Sequence, residues 1–61
     1  MQNFIVNGYK TVIVDMDEVR TGDMVLKLQV SAIDDHIGNI EAAAFAALGC
    51  DGFELISFMR L

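Results

Sequence analysis

The apolar pattern predicts an α+β fold, a small mainly antiparallel sheet with one helix packed on one face. Three observations carry this reading. Met24 to Ala32 alternates strictly, a helix-spaced apolar set runs from Ile37 to Leu48, and turn-forming residues stand at Asn7-Gly8 and at Gly49 and Gly52. The order is hairpin, strand, helix, strand, in one domain over residues 1–61 with no linker, repeat or low-complexity tract.

Each element has a local reason. Asn7-Gly8 lies between Phe4-Ile5-Val6 and Tyr9-Lys10-Thr11, and Asn-Gly best tolerates the two positive φ angles of a type I′ turn, so a tight hairpin is expected there. Val12, Val14 and Met16 alternate with Thr11, Ile13 and Asp15, which carries the second arm to about Asp17 with the first set towards the helix. Arg20-Thr21-Gly22-Asp23 reads as the next turn. Met24, Leu26, Leu28, Val30 and Ala32 then form one face of a strand, with Val25, Lys27, Gln29 and Ser31 on the other.

Asp34 and Asp35 offer N-cap oxygens, and Gly38-Asn39 a later start, so the helix begins within that turn. Ile37, Ile40, Ala44, Ala47 and Leu48 share an arc of about 100° that should cover the sheet, with Phe45 at its edge and Gly49 as the terminating residue. The far side carries Ala42, Ala43 and Ala46 where an exposed helix would carry charge, which makes these alanines with Phe45 the expected subunit contact. Alanine is also simply the best helix former. Phe53 to Leu61 closes the chain as a strand that is polar only at Glu54, Ser57 and Arg60.

Composition bounds the partners. The 61 residues are 54% hydrophobic and 21% charged, with a mean hydropathy of +0.46. A chain this short buries only about 60% of its unfolded surface, so homo-oligomerisation is expected to cover the rest. Cys50 is the only cysteine, which leaves no internal disulfide and suggests the cytoplasm. The first residues show no signal peptide, and no apolar run is long enough for a membrane span. A net charge of −5 repels long nucleic acid, yet Lys10, Arg20, Lys27 and Arg60 could converge around one small anion.

Ala47-Leu48-Gly49-Cys50-Asp51-Gly52-Phe53-Glu54-Leu55-Ile56-Ser57 resembles the helix-to-strand segment of a family of small bacterial and phage domains of unknown function, with the pattern L-G-x-x-G-W-E-L-V-S. Phe53 replaces the commoner Trp, and the close likeness covers about a fifth of the chain. The resemblance implies a β-β-α-β unit and carries no activity or catalytic residue. In size and acidity the chain is also similar to proteins that phages make against host defences, some of which sequester signalling nucleotides while others block a host protein.

Catalytic and metal chemistry find little support. His36 beside Asp34 and Asp35 is the one place where a base adjoins carboxylates, and a zinc site needs three or four ligands. Asp15, Asp17 and Glu18 depart from a calcium loop because Arg20 stands at its glycine position. Cys50 follows a helix C-terminus, where the dipole opposes a thiolate. The expectation is a non-enzymatic binding module without cofactor or metal. If Val12, Val14 and Met16 face the helix, the outer face gathers Tyr9, Thr11, Ile13 and Asp15 with Lys27, Gln29 and Ser31. There Tyr9 would stack on a nucleotide-like ligand while Lys27, with Arg60 or Arg20, neutralises its charge and Gln29 hydrogen-bonds. The alternative is an acidic inhibitor of a host protein that recognises through Asp15, Asp17, Glu18, Asp34 and Asp35. An ordinary solvated sheet surface is the plain reading of the same residues.

Overall fold

The computed structural model describes all 61 residues. Strand β1 spans Gln2–Val14, β2 Asp17–Ala32, helix α1 Ile37–Leu48 and β3 Gly52–Arg60. The sheet is antiparallel in the order β2-β1-β3, with α1 against one face. The α+β class, an antiparallel sheet with one helix on one face and a C-terminal strand after it, agrees with the sequence reading. The strand boundaries do not: the chain reaches the helix through two long strands where three shorter ones were expected.

Asn7-Gly8 is not a turn. It lies inside β1, and the hairpin reverses at Asp15-Met16, whose φ angles of 51° and 69° supply the two left-handed positions of a two-residue loop. Gly8 has another purpose: a Cβ there would stand 2.6 Å from Cε2 of Phe53 and would also collide with the Glu54 carbonyl. The bare backbone lets the Phe53 ring lie across the central strand, and Phe53 is buried as a result. Asn7 in turn ties both neighbours, its Oδ1 accepting the Lys27 main-chain N–H at 2.8 Å and its Nδ2 donating to the Ser57 hydroxyl at 3.0 Å.

The Arg20-to-Asp23 turn is also absent, because that segment continues β2. Gly22, at φ 70°, is used in an irregular stretch: between Val25 and Thr21 β2 takes four steps while β1 takes two from Gly8 to Lys10. A second bulge at Lys27, φ 56°, lies where β2 goes from Leu28 to Val25 against Val6 to Gly8. An extra residue reverses which side alternate residues occupy. Leu28, Val30 and Ala32 therefore face inward as expected, but Leu26 is 66% exposed and Val25 packs on the core instead.

The core consists of Phe4, Val6, Val30, Ala32 and Phe53 from the sheet and Ile40 and Ala44 from the helix. Ala43, Phe45 and Leu48 pack partly against it, whereas Ile37 and Ala47 are exposed, so the helix is rotated from the expected orientation towards Ala43. Of the four residues expected at a subunit contact, Ala42 and Ala46 remain open to solvent. The helix starts between the two expected points, at Ile37 with His36 as the N-cap. Asp34 accepts the His36 main-chain N–H at 3.0 Å and the Asn39 amide at 2.9 Å, which organises the lead-in without capping the helix itself. At the other end Gly49 is left-handed at φ 69°, and the Cys50 N–H reaches back to the Phe45 carbonyl at 3.1 Å.

β3 pairs with β1 only as far as Thr11, so residues 12 to 19 form a two-stranded arm on a molecule of 35 × 20 × 17 Å. Val14 and Met16 do not meet the helix as expected; they are exposed on that arm, Met16 to 95%.

Candidate functional site

β1 keeps an unbroken period of two, with Phe4 and Val6 buried against the helix and Gly8 buried under the Phe53 ring on the same side. Asn3, Ile5, Asn7, Tyr9, Thr11 and Ile13 accordingly line the opposite, uncovered face. The register sets Glu54 of β3 beside Tyr9, and Arg20 of β2 beside Thr11. Arg20 reaches across Tyr9 to close a three-strand cluster. Its Nε donates to Glu54 Oε1 at 2.8 Å and its Nη2 to Oε2 at 2.7 Å, while the guanidinium carbon lies 4.3 Å from the Tyr9 ring centroid. A planar fork on a planar carboxylate, stacked over an aromatic, is the arrangement for which arginine is better suited than lysine.

The electrostatics follow from these bonds. The Arg20 hydrogen bonds hold the Glu54 carboxyl below its ordinary range, and Glu54 in turn raises Arg20. Both side chains remain open to water, 51% for Arg20 and 37% for Glu54, so solvent screens the pair and its contribution to stability is small. Next to it the Thr11 hydroxyl, on a residue only 1% exposed, donates to Glu18 Oε2 at 2.9 Å.

The five residues expected to hold a ligand are divided by the fold. Tyr9 and Arg20 meet, and Gln29 lies further along the same face, opposite Ile5. Lys27 sits at the bulge, tied through its main chain to Asn7. Arg60 pairs with Phe4 and so belongs to the helix side of the sheet, away from Tyr9. Sequence reasoning missed Glu54, Asn7 and Ser57. Glu54 reaches the outer face beside Tyr9 only because β3 carries an extra residue at Ile56, and no local pattern signals that bulge.

The acidic candidates also separate. Asp15, Asp17 and Glu18 cluster at the tip of the arm, and Asp34 and Asp35 follow the opposite end of β2. Asn39, then the His36 main chain, hold Asp34 below the usual carboxylate range. The Cys50 thiol donates to the Gly52 carbonyl at 3.3 Å. The chain by itself forms no pocket, and no three His, Cys, Asp or Glu residues gather where a metal ion could be held. No helix is long and apolar enough to cross a membrane. Comparisons with protein families, curated proteins and solved structures find no match for this chain.

Proposed function

We propose that the chain is a non-enzymatic binding module that works as a homo-oligomer and holds a small anionic, nucleotide-like ligand between subunits. The observation that carries this reading is the Arg20 cluster: a guanidinium stacked on Tyr9, its two-pronged donor set occupied by a half-exposed carboxylate on an otherwise open sheet face. A phosphate oxygen pair accepts the same two donors in the same plane as Glu54 does. Gln29 along that face and the Lys27 side chain at the bulge supply further polar groups, and because one chain alone forms no pocket, a ligand held there needs a second subunit beside it. Oligomerisation is supported by the twelve large apolar side chains that the single chain leaves exposed against seven in its buried core.

Native mass spectrometry of gently purified protein, followed by thermal shifts with mononucleotides and cyclic dinucleotides, tests the reading. Stabilisation should follow RT ln(1 + [L]/Kd), reaching about 2.7 kcal/mol at a hundredfold excess over Kd. Arg20→Ala should remove the ligand response without unfolding the chain. An unchanged response in that variant, or none for any nucleotide in the unmodified protein, overturns the reading.

The second reading, an inhibitor that occludes a basic surface on a host protein, is favoured by one observation: Asp15, Asp17 and Glu18 stand together on an arm extending beyond the third strand. Its association should slow as salt rises and weaken on charge reversal at Asp15 and Asp17.

A further inference from the structure

The two edges of the sheet are unlike. The β2 edge is interrupted by the left-handed residues Lys27 and Gly22 and carries Asp17, Glu18, Asp23 and Lys27, features that discourage pairing with another strand. The β3 edge from Ser57 to Leu61 has no bulge, and Arg60 is its one charged side chain. Beside it, Ile56, Phe58, Met59 and Leu61 are 41% to 61% exposed.

Its hydrogen-bonding pattern is fixed by one bond. The Leu61 N–H donates to the Asn3 carbonyl at 2.9 Å, and the pairs Met59 with Ile5 and Ser57 with Asn7 continue that phase. Alternate residues therefore turn their main-chain groups towards β1, and Phe58 and Arg60 turn theirs outward. The free stretch ends at Leu55, whose N–H donates to Glu41 Oε2 of the helix at 2.9 Å. Glu41 thus places a carboxylate at one end of the edge, and Arg60 places a guanidinium at the other. Neither has a partner of opposite charge, since the one ion pair in the chain is Arg20 with Glu54.

We propose that the β3 edge is the self-association surface, pairing antiparallel with β3 of a second copy about a two-fold axis at Phe58. This register places Phe58 against its symmetry mate and Ser57 opposite Met59, and brings Arg60 up to the Ile56 bulge. Arg60 and Phe58 both lie on the helix side, as their pairing with Phe4 and Val6 requires. Arg60 of each copy thereby arrives one residue from the Leu55 whose N–H is held by the other copy's Glu41, so both unpaired charges are satisfied twice over. The charges complement one another in this register, the two Phe58 side chains meet on the helix side, and each outward N–H at Phe58 finds a carbonyl. The result is one six-stranded sheet with both Arg20 clusters on the same uncovered face. The inference rests on the self-association part of the proposed function and not on its ligand.

Sedimentation equilibrium and cysteine cross-linking test it. Arg60→Glu and Glu41→Lys should each weaken association about tenfold or more, and an equimolar mixture of the two should restore it, because the mixed pair regains both opposite-charge contacts. In a Cys50→Ser background, Phe58→Cys should form an intermolecular disulfide under mild oxidation while Met59→Cys should not. Arg60 is exposed, so Arg60→Glu leaves the fold intact and stays informative even where Phe58→Cys loosens the packing on Phe4. An oligomer of undiminished stability in both charge variants, with no cross-link at residue 58, overturns the edge pairing and moves the contact to the helix. A monomeric unmodified chain overturns the pairing and the self-association reading together.

Discussion

The helix-covered half of the sheet and the arm beyond it are built from similarly apolar sequence with opposite results. In the first, Phe4, Val6, Val30 and Ala32 alternate against Ile40 and Ala44 and are almost fully buried. In the arm, Ile13, Val14, Met16 and Val19 are just as apolar, yet neither helix nor third strand reaches them and all are exposed. The alternation of a strand specifies which side is apolar; only the layer packed over it decides whether that side leaves water. The arm is accordingly the part of this molecule with the least to hold it.

Four substitutions break or sharpen that contrast. Ile40→Ala empties the centre of the covered half and should cost about 2–5 kcal/mol in urea unfolding, whereas Met16→Ala on the arm should stay within about 0.5 kcal/mol. An equal cost at both positions would mean that the arm is covered in solution. Gly8→Ala should come next, at about 1–3 kcal/mol, because the added methyl meets the Phe53 ring and the Glu54 carbonyl in the covered half. Replacing Asp15-Met16 by Asn-Gly should act in the opposite direction, stabilising by about 1 kcal/mol through relief of two left-handed non-glycine residues. If denaturation midpoints do not rise, the arm's turn is not held in that conformation.

The smallest effect is electrostatic. Glu54 and Asp34 both have lowered pKa values in the folded chain. Their stabilisation is therefore present above the ordinary carboxylate pKa and is lost as pH falls through the lowered folded values. Arg20, raised, stays charged throughout that window. A Glu54→Gln, Asp34→Asn double variant should lose less stability than the unmodified chain between neutral and acidic pH, and identical pH profiles would contradict the assignment.

How far the fold was legible follows from the same contrast. Val30 and Ala32, Ile40 and Ala44, and the left-handed Gly49 all lie where period and chemistry put them. Asn7-Gly8 misled because its turn propensity is local, whereas the demand for a bare backbone under Phe53 comes from a residue far along the chain. Lys27 misled because a left-handed lysine gives no sequence signal, yet it reverses the faces of every residue before it in β2. The candidate site suffered for the same reason: Tyr9 and Arg20 were identifiable as residue types, but their meeting with Glu54 depends on bulges in both outer strands.

The placement of Asn7-Gly8 inside a strand also bears on how the protein ages. Asn-Gly is the dipeptide most prone to deamidate through a cyclic imide, a reaction that needs a mobile backbone and a free side-chain amide. Here the backbone is held between two strands and the amide is engaged at both ends. The native chain withholds this reaction from itself, and each excursion to an open form exposes it. Conversion there leaves an aspartate or isoaspartate that can no longer donate to Ser57, so chemical damage at this one position records how often the sheet has come apart.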